Sequence, residues 1–378
     1  MKIIYIHTDF LDAPTPASTF LINRAMSLVE NNATVILIAR IQNETNKHNI
    51  LKEKFAIEHC PKNFKIILSD QEVNHLYEQC KKVCLLEKPD ILYTRSLKML
   101  PKLLSLKKDH KNIKVFFESH DFYMSIFQRN DIKKIKNLKN FIREKIYLPK
   151  IDGLVCVNTA QSNLYKQHLS IPILALSSGI LAHDDVKTTI IENTKTLAYI
   201  GALDPRKKIP EMIQLMTFLP EEYKLIIFGG KNDEEILWIN NLIEQNSLKN
   251  KVYITGWLTR QEMHKKLENV SLGLIPLEES FFNKYLTYPL KLSDYYKFNI
   301  PVLTNRFPSA KDYLIENETG FFVDWDNFDE TKNIILNILE HDKLYATLRI
   351  KVENFKKLNS ISENGKKLLS FFNNQQKG

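Results

Sequence analysis

Short apolar runs alternate with amphipathic stretches from one end of this chain to the other, in two successive series. In the first half the runs fall at residues 2–7, 34–39, 66–68, 91–94, 115–119, 153–158 and 173–176. Between two of them, Leu21/Ile22, Ala25/Met26 and Leu28/Val29 recur at the period of a helix across residues 19–30, and residues 73–86 and 97–108 behave alike. Runs without polar alternation suit strands covered on both faces, and strands separated by helices suit parallel crossovers. The first half therefore predicts one doubly wound domain, residues 1–180. A second series begins near residue 196, with runs at 197–201, 224–228, 252–255, 272–275, 302–304 and 320–323. Helical patterns at 212–218, 234–245, 259–268 and 290–297 separate them. Residues 177–195 are polar and aperiodic, as a linker is, so the second domain is expected over 181–350. Residues 351–378 keep helical spacing through Leu358, Ile361 and Leu368/Leu369, and are expected to form a helical segment able to pack back on the first domain. The fold class predicted is α/β: two Rossmann-like domains facing a cleft, with the carboxyl ends of both sheets, where open α/β sheets bind ligands, turned toward it.

Length and composition agree. A chain of 378 residues exceeds what one core usually organises. An apolar share of 44% beside 26% charged residues is that of a soluble globular protein. No run of 18 apolar residues exists, which argues against a membrane-spanning helix. Residues 1–7 read as a buried first strand rather than a signal peptide, so a cytoplasmic location is expected. The net charge of +9 suits a nucleic acid, an anionic membrane surface or a phosphorylated substrate. Abundant Lys, Asn and Ile also follow from an AT-rich genome, so charge alone does not choose; no nucleic-acid motif accompanies it, and no nucleic-acid partner is expected. Cys60, Cys80, Cys84 and Cys156 match no disulfide or zinc spacing. Cys80 and Cys84, one helical turn apart near His75, read as reduced thiols, and no metal site is expected.

The stretch from Tyr288 to Leu303 carries the most chemistry. Pro289 suits a first helical turn, where its missing N–H is not needed. Lys291 and Asp294, three residues apart, share one helix face. A cation and a carboxylate beside a helix start meet the needs of a nucleoside diphosphate sugar: charge for phosphate and an acceptor for ribose hydroxyls.

With this motif in hand, the chain resembles the GT-B glycosyltransferases, and most closely the family 4 retaining enzymes. The resemblance spans nearly the whole chain and is carried, in order, by residues 198–209, 226–230, 252–257, 271–276 and 288–303. It implies that the loop from Gly201 to Lys208 holds the donor diphosphate through Lys207, with Arg206 second; the family's usual Arg after the glycine is Ala202 here. Fixed cations there stabilise the charge that gathers on the leaving diphosphate. By the same resemblance Gly229 and Gly230 let the backbone approach the nucleotide, Gly256 and Trp257 flank the base, and Pro289, Leu290 and Lys291 line the donor. Asp294 matches the second of two family acids eight positions apart, the one that holds the ribose; Leu286 stands where the first is expected, with Glu278 and Glu279 upstream and out of register.

In the first half, residues 116–121 resemble the family strand that ends in a His. His120 is thereby expected to contact the donor sugar, with Glu118, Asp121 and Arg95 as neighbouring substrate contacts. The expected catalytic set is His120, Lys207 and Asp294. Residues 131–150 place Ile132, Ile135, Leu138, Ile142 and Ile146 roughly along one stripe with Lys and Arg off it, as in a helix that rests on an anionic bilayer.

The function the resemblance implies is metal-independent, cofactor-free transfer of a hexose-like sugar from a nucleoside diphosphate sugar to a glycan or lipid-linked hydroxyl, with retention. The setting is bacterial surface polysaccharide, lipopolysaccharide or capsule assembly, in the cytoplasm or on the inner face of the cytoplasmic membrane. Two rival readings are an inverting GT-B transferase or nucleotide-sugar epimerase, with Glu118 or Asp121 as general base, and a non-catalytic GT-B scaffold.

Overall fold

The computed structural model describes residues 1–13, 16–42, 50–55, 57, 59–70, 73–110, 112–125, 135–180, 193–204 and 207–376. Two compact units divide the chain: Met1–Gly179 with Ile361–Gly378, and Ile180–Ser360.

In the first unit the order is β1 (Lys2–Phe10), α1 (Pro16–Glu30), β2 (Thr34–Arg40), α2 (Ile50–Phe55), β3 (Phe64–Ser69), α3 (Val73–Glu87), β4 (Ile91–Thr94), α4 (Leu100–Asp109), β5 (Lys114–Ser119), α5 (Ile135–Tyr147), β6 (Gly153–Cys156), α6 (Thr159–Lys166) and β7 (Ile173–Ala175). The strands form one sheet in the order β3-β2-β1-β4-β5-β6-β7, and every pairing is parallel. Ile3, Ile4, Tyr5 and Ile6 are each fully buried, which is why β1 reads as an unbroken apolar run. Strand order reverses between β1 and β4. Their ladder ends at the pair Ile6–Thr94, and β1 then continues irregularly to Phe10, beyond the expected end at residue 7.

The second unit runs β8 (Thr196–Ile200), α7 (Ile209–Leu215), β9 (Lys224–Phe228), α8 (Asp233–Gln245), β10 (Val252–Ile254), α9 (Arg260–Leu267), β11 (Leu272–Ile275), α10 (Phe281–Tyr285), α11 (Lys291–Lys297), β12 (Val302–Thr304), β13 (Gly320–Phe322), α12 (Phe328–Leu339) and α13 (Asp342–Leu358). Its sheet, also parallel, has the order β10-β9-β8-β11-β12-β13. α13 buries Leu348 and Val352 and donates from the Arg349 guanidinium to Phe298 O at 3.1 Å. That commitment carries the second unit to Ser360 rather than to residue 350.

The last helix, α14 (Ile361–Gln376), folds with the first unit. Gly365 lies so close to α1 that a Cβ there would stand 2.1 Å from Ser27 O. Asn31 Nδ2 donates to Ser362 O at 2.9 Å. Phe372 reaches the rings of Phe116 and Tyr93, with centroids 4.4 and 5.4 Å away.

Candidate functional site

In the second unit, Gly201 directly follows β8 and opens the loop to α7. Its backbone, at φ 143°, is one that side chains rarely adopt. A Cβ on Gly229, after β9, would stand 2.2 Å from Gly201 O, so glycine is what lets these two strand ends meet. Gly229 also pairs with Gly256. Gly201, Gly229, Gly230 and Gly256 therefore line adjoining loops at the carboxyl ends of β8, β9 and β10. Trp257 follows, 73% exposed, with Lys231 Nζ 6.0 Å from its ring.

Three lysines of this unit, Lys207, Lys208 and Lys291, lie on or beside the Gly201 loop. Lys208 is neutralised, 2.7 Å from Asp326 and 3.2 Å from Glu211. Lys207 and Lys291 make no ion pair among the described residues. Lys291 opens α11 and holds its ammonium 4.1 Å from the centroid of the Tyr199 ring. Burial, and then the nearby charge of Lys207, lower its pKa to about 7. Two neighbouring ammonium groups held in no ion pair among the described residues form a place for an anion. Arg206, the second cation expected here, lies outside the described residues.

Lys207 also lines a cavity of about 220 Å³ with Asp204, Leu277, Glu278, Ser280, Phe282 and Asn283. Glu278 therefore shares a wall with the phosphate-binding candidate, although sequence register discounted it. Leu286, where the resemblance placed an acid, is buried. Pro289 is buried, and Leu290 is the N-cap of α11, so the helix begins at Lys291 rather than at the proline. Lys291 and Asp294 serve different neighbours. The Asp294 carboxylate accepts from Arg260 at 3.0 Å and lies 3.1 Å from His264 Nε2, both on α9.

In the first unit, Glu118 is the last residue but one of β5 and is fully buried. It accepts from Tyr93 OH at 2.6 Å, Tyr5 OH at 3.1 Å and Arg24 at 3.2 Å. Burial pushes its carboxyl up, but Arg24, His120 and Arg95 outweigh burial and hold it below the ordinary carboxylate range. The expectation that Glu118 touches substrate is corrected: its oxygens are committed to a buried network. Asp121, its expected neighbour, is also engaged, accepting from Tyr123 OH at 2.5 Å and Phe122 N at 2.9 Å. His120 sets its ring edge-on to Phe20, centroids 4.5 Å apart, and Arg95 lies over the same phenyl ring at 4.6 Å. The structure brings His120 and Arg95 together around Phe20 and adds two residues that sequence reasoning missed. One is Arg24, whose partner is 94 positions away. The other is His7, at the end of an apolar strand, where the rule that singled out His120 applies equally.

Residues 182–367 match the family model described as glycosyl transferases group 1. The chain carries a glycosyl transferases group 1 domain. The lysine pair, the glycine loops and the cavity all fall within this group 1 domain. No curated protein sequence matches the chain. Among solved structures, HepE of Anabaena in complex with UDP superposes with a TM-score of 0.73 at 12% identity, covering 99% of this chain and 100% of that one. Sucrose-phosphate synthase of Thermosynechococcus elongatus gives 0.70 at 13%, covering 99% of each chain. A TarM variant of S. aureus, whose complex includes UDP, gives 0.70 at 15%, covering 99% and 100%. At such identities the likeness establishes the fold, which is GT-B: two Rossmann-like parallel-sheet domains.

Proposed function

We propose that the chain transfers a sugar, hexose-like by the resemblance, from a nucleoside diphosphate sugar to a hydroxyl of a glycan or lipid-linked acceptor, with retention at the anomeric carbon. The observation that carries this reading is the neighbouring pair Lys207 and Lys291 inside the group 1 domain, neither in an ion pair among the described residues. UDP in the HepE and TarM structures supports a nucleoside diphosphate as its ligand. The two ammonium groups supply the positive charge that the leaving diphosphate needs, in the role a metal ion fills elsewhere. Glu278, on the cavity wall beside Lys207, accepts hydrogen bonds from the sugar hydroxyls. Asp294 holds the ribose, oriented by Arg260 and His264.

Retention follows when the acceptor hydroxyl attacks from the face the diphosphate leaves. The C1–O bond to phosphate breaks, the C1–O bond to the acceptor forms, and the departing phosphate oxygen takes the hydroxyl proton. The inverting alternative needs a free general base, and Glu118 is buried in its network while Asp121 is bonded to its own loop. Incubation with candidate donors and acceptors, read by NMR of the product anomer, tests the reading. Retained configuration supports it, inverted configuration transfers the assignment to an inverting enzyme, and the absence of turnover with any donor favours a scaffold.

We further place the protein in the cytoplasm, resting on the inner face of an anionic membrane through α5. No helix among the described residues is long and apolar enough to cross a membrane. Leu138, Ile142 and Ile146 of α5 are exposed at 48%, 46% and 44%, one turn apart along a single stripe. Lys139 and Lys145 of the same helix, and Lys150 just after it, are exposed as well. Residues 131–134 of the expected helix lie outside the described ones. Such a surface suits assembly of surface polysaccharide, lipopolysaccharide or capsule.

A further inference from the structure

Lys291, Asp294 and Lys297 recur every third residue and so share one side of α11. Lys291 serves the Gly201 loop. Asp294 and Lys297 both meet a single ring on α9, that of His264, each through a different nitrogen. His264 Nε2 lies 3.1 Å from Asp294 Oδ1, and His264 Nδ1 lies 3.3 Å from Lys297 Nζ. The Phe298 ring stands edge-on to the imidazole, centroids 5.4 Å apart, and restrains its rotation.

An ammonium carries donors only. The ring nitrogen that faces Lys297 is therefore the acceptor, and the single ring proton sits on Nε2, where it donates to Asp294. Asp294 has a second donor in Arg260, 3.0 Å away at the start of the same helix as His264. Both donors end on Oδ1. Oδ2 takes no hydrogen bond among the described residues and is not buried. The carboxylate is thus divided: one oxygen is anchored twice to α9, and the other is left to a ligand. With the ring proton on Nδ1 instead, Nε2 would turn a lone pair on Oδ1, and one of the two anchors would become a repulsion.

We propose that Lys297 is a positioning residue for the nucleotide: it donates to His264 Nδ1, so that His264 donates to Asp294 Oδ1 and Oδ2 is the oxygen offered to a ribose hydroxyl. Lys297 touches no ligand itself and acts through the imidazole. The ribose as the ligand rests on the nucleotide-sugar reading; the chain from Lys297 through His264 to Asp294 does not.

The test has one arm without ligand and one with it. In the full-length protein at neutral pH, the ring nitrogen NMR shifts of His264, assigned with His264→Gln, report which nitrogen carries the proton. The expected result is a single tautomer, protonated at Nε2, in the wild type. Lys297→Met, which keeps the length of the stem, is expected to lose that single state, and Lys297→Arg, again a donor only, to restore it. In the second arm calorimetry compares UDP with its two analogues that each lack one ribose hydroxyl. The wild type is expected to prefer UDP over the weaker analogue by about tenfold or more, the value of a hydrogen bond to a charged group. Lys297→Met is expected to cut that preference below about threefold while changing affinity for the weaker analogue by less than about twofold. A general loss of packing would weaken UDP and analogue alike, and that outcome overturns the proposal. So does a wild-type ring protonated at Nδ1 or at both nitrogens, or a ring spectrum unchanged in Lys297→Met. If Lys297→Met does not fold, the tautomer in the wild type and in Lys297→Arg decides. If UDP does not bind at all, the tautomer still decides the chain, and the failure counts against the nucleotide-sugar reading alone.

Discussion

Lys291 places its ammonium 4.1 Å from the centre of the Tyr199 ring, with no carboxylate to neutralise it among the described residues. Burial and Lys207 lower its pKa to about 7. A bound diphosphate favours the charged form and raises that pKa. Below pH 7 the ammonium is already protonated and affinity is flat. Above pH 7 binding must take up a proton, so affinity for a nucleoside diphosphate falls by as much as about tenfold per pH unit. Calorimetry in buffers of different ionisation enthalpy detects the uptake, and Lys291→Arg, which stays charged, abolishes this part of the pH dependence.

Arg24 and Glu118 are 1% and 0% exposed and 3.2 Å apart. Glu118→Gln leaves a buried guanidinium without its counter-charge and is expected to cost about 3–5 kcal/mol in urea unfolding. Arg24→Met combined with Glu118→Gln recovers most of that loss. The folded carboxyl sits below its ordinary value of 4.5. Its stabilisation is therefore complete above that value and is lost as pH falls toward the folded pKa, so the wild type loses stability in acid more steeply than the double variant.

Glu278 shares its cavity with Lys207. Glu278→Gln is expected to lower kcat/KM by about 10- to 100-fold, the value of a hydrogen bond to a charged acceptor, and to leave nucleoside diphosphate affinity within about twofold of wild type. Equal loss of diphosphate affinity would place Glu278 at the phosphates and not at the sugar.

The stripe Leu138, Ile142 and Ile146 is expected to carry the protein upward with anionic liposomes in a flotation gradient, and not with neutral ones. Replacing Lys139, Lys145 and Lys150 by Glu, or the three apolar residues by Ser, should abolish flotation, and added salt should weaken it. No flotation at any salt concentration removes the membrane from the account.

The sheets were legible because parallel strands buried on both faces leave unbroken apolar runs, as at Ile3 to Ile6. The apolar spacing of α14 was legible for the same reason, since Leu368 and Phe372 are fully buried. What escaped depends on neighbours distant in the chain. The burial of Glu118 follows from Arg24, which no local pattern links to it. The isolation of Lys291 is a property of the space around Gly201 and Tyr199, 90 or more positions earlier. Glu278 lies out of the register that places Leu286 eight residues before Asp294, yet a cavity is lined by position in space. The start of α11 fell two residues after Pro289, within the usual uncertainty of a helix end.

The central claim is that Lys207 and Lys291 hold a nucleoside diphosphate. Thermal unfolding of the wild type, Lys207→Ala and Lys291→Met with UDP, GDP, CMP and their sugar conjugates tests it most directly. The account predicts a concentration-dependent rise in Tm with one nucleoside diphosphate in the wild type, lost or reduced in both variants. A rise that persists undiminished in both variants, or no rise with any nucleotide at millimolar concentration, would contradict it.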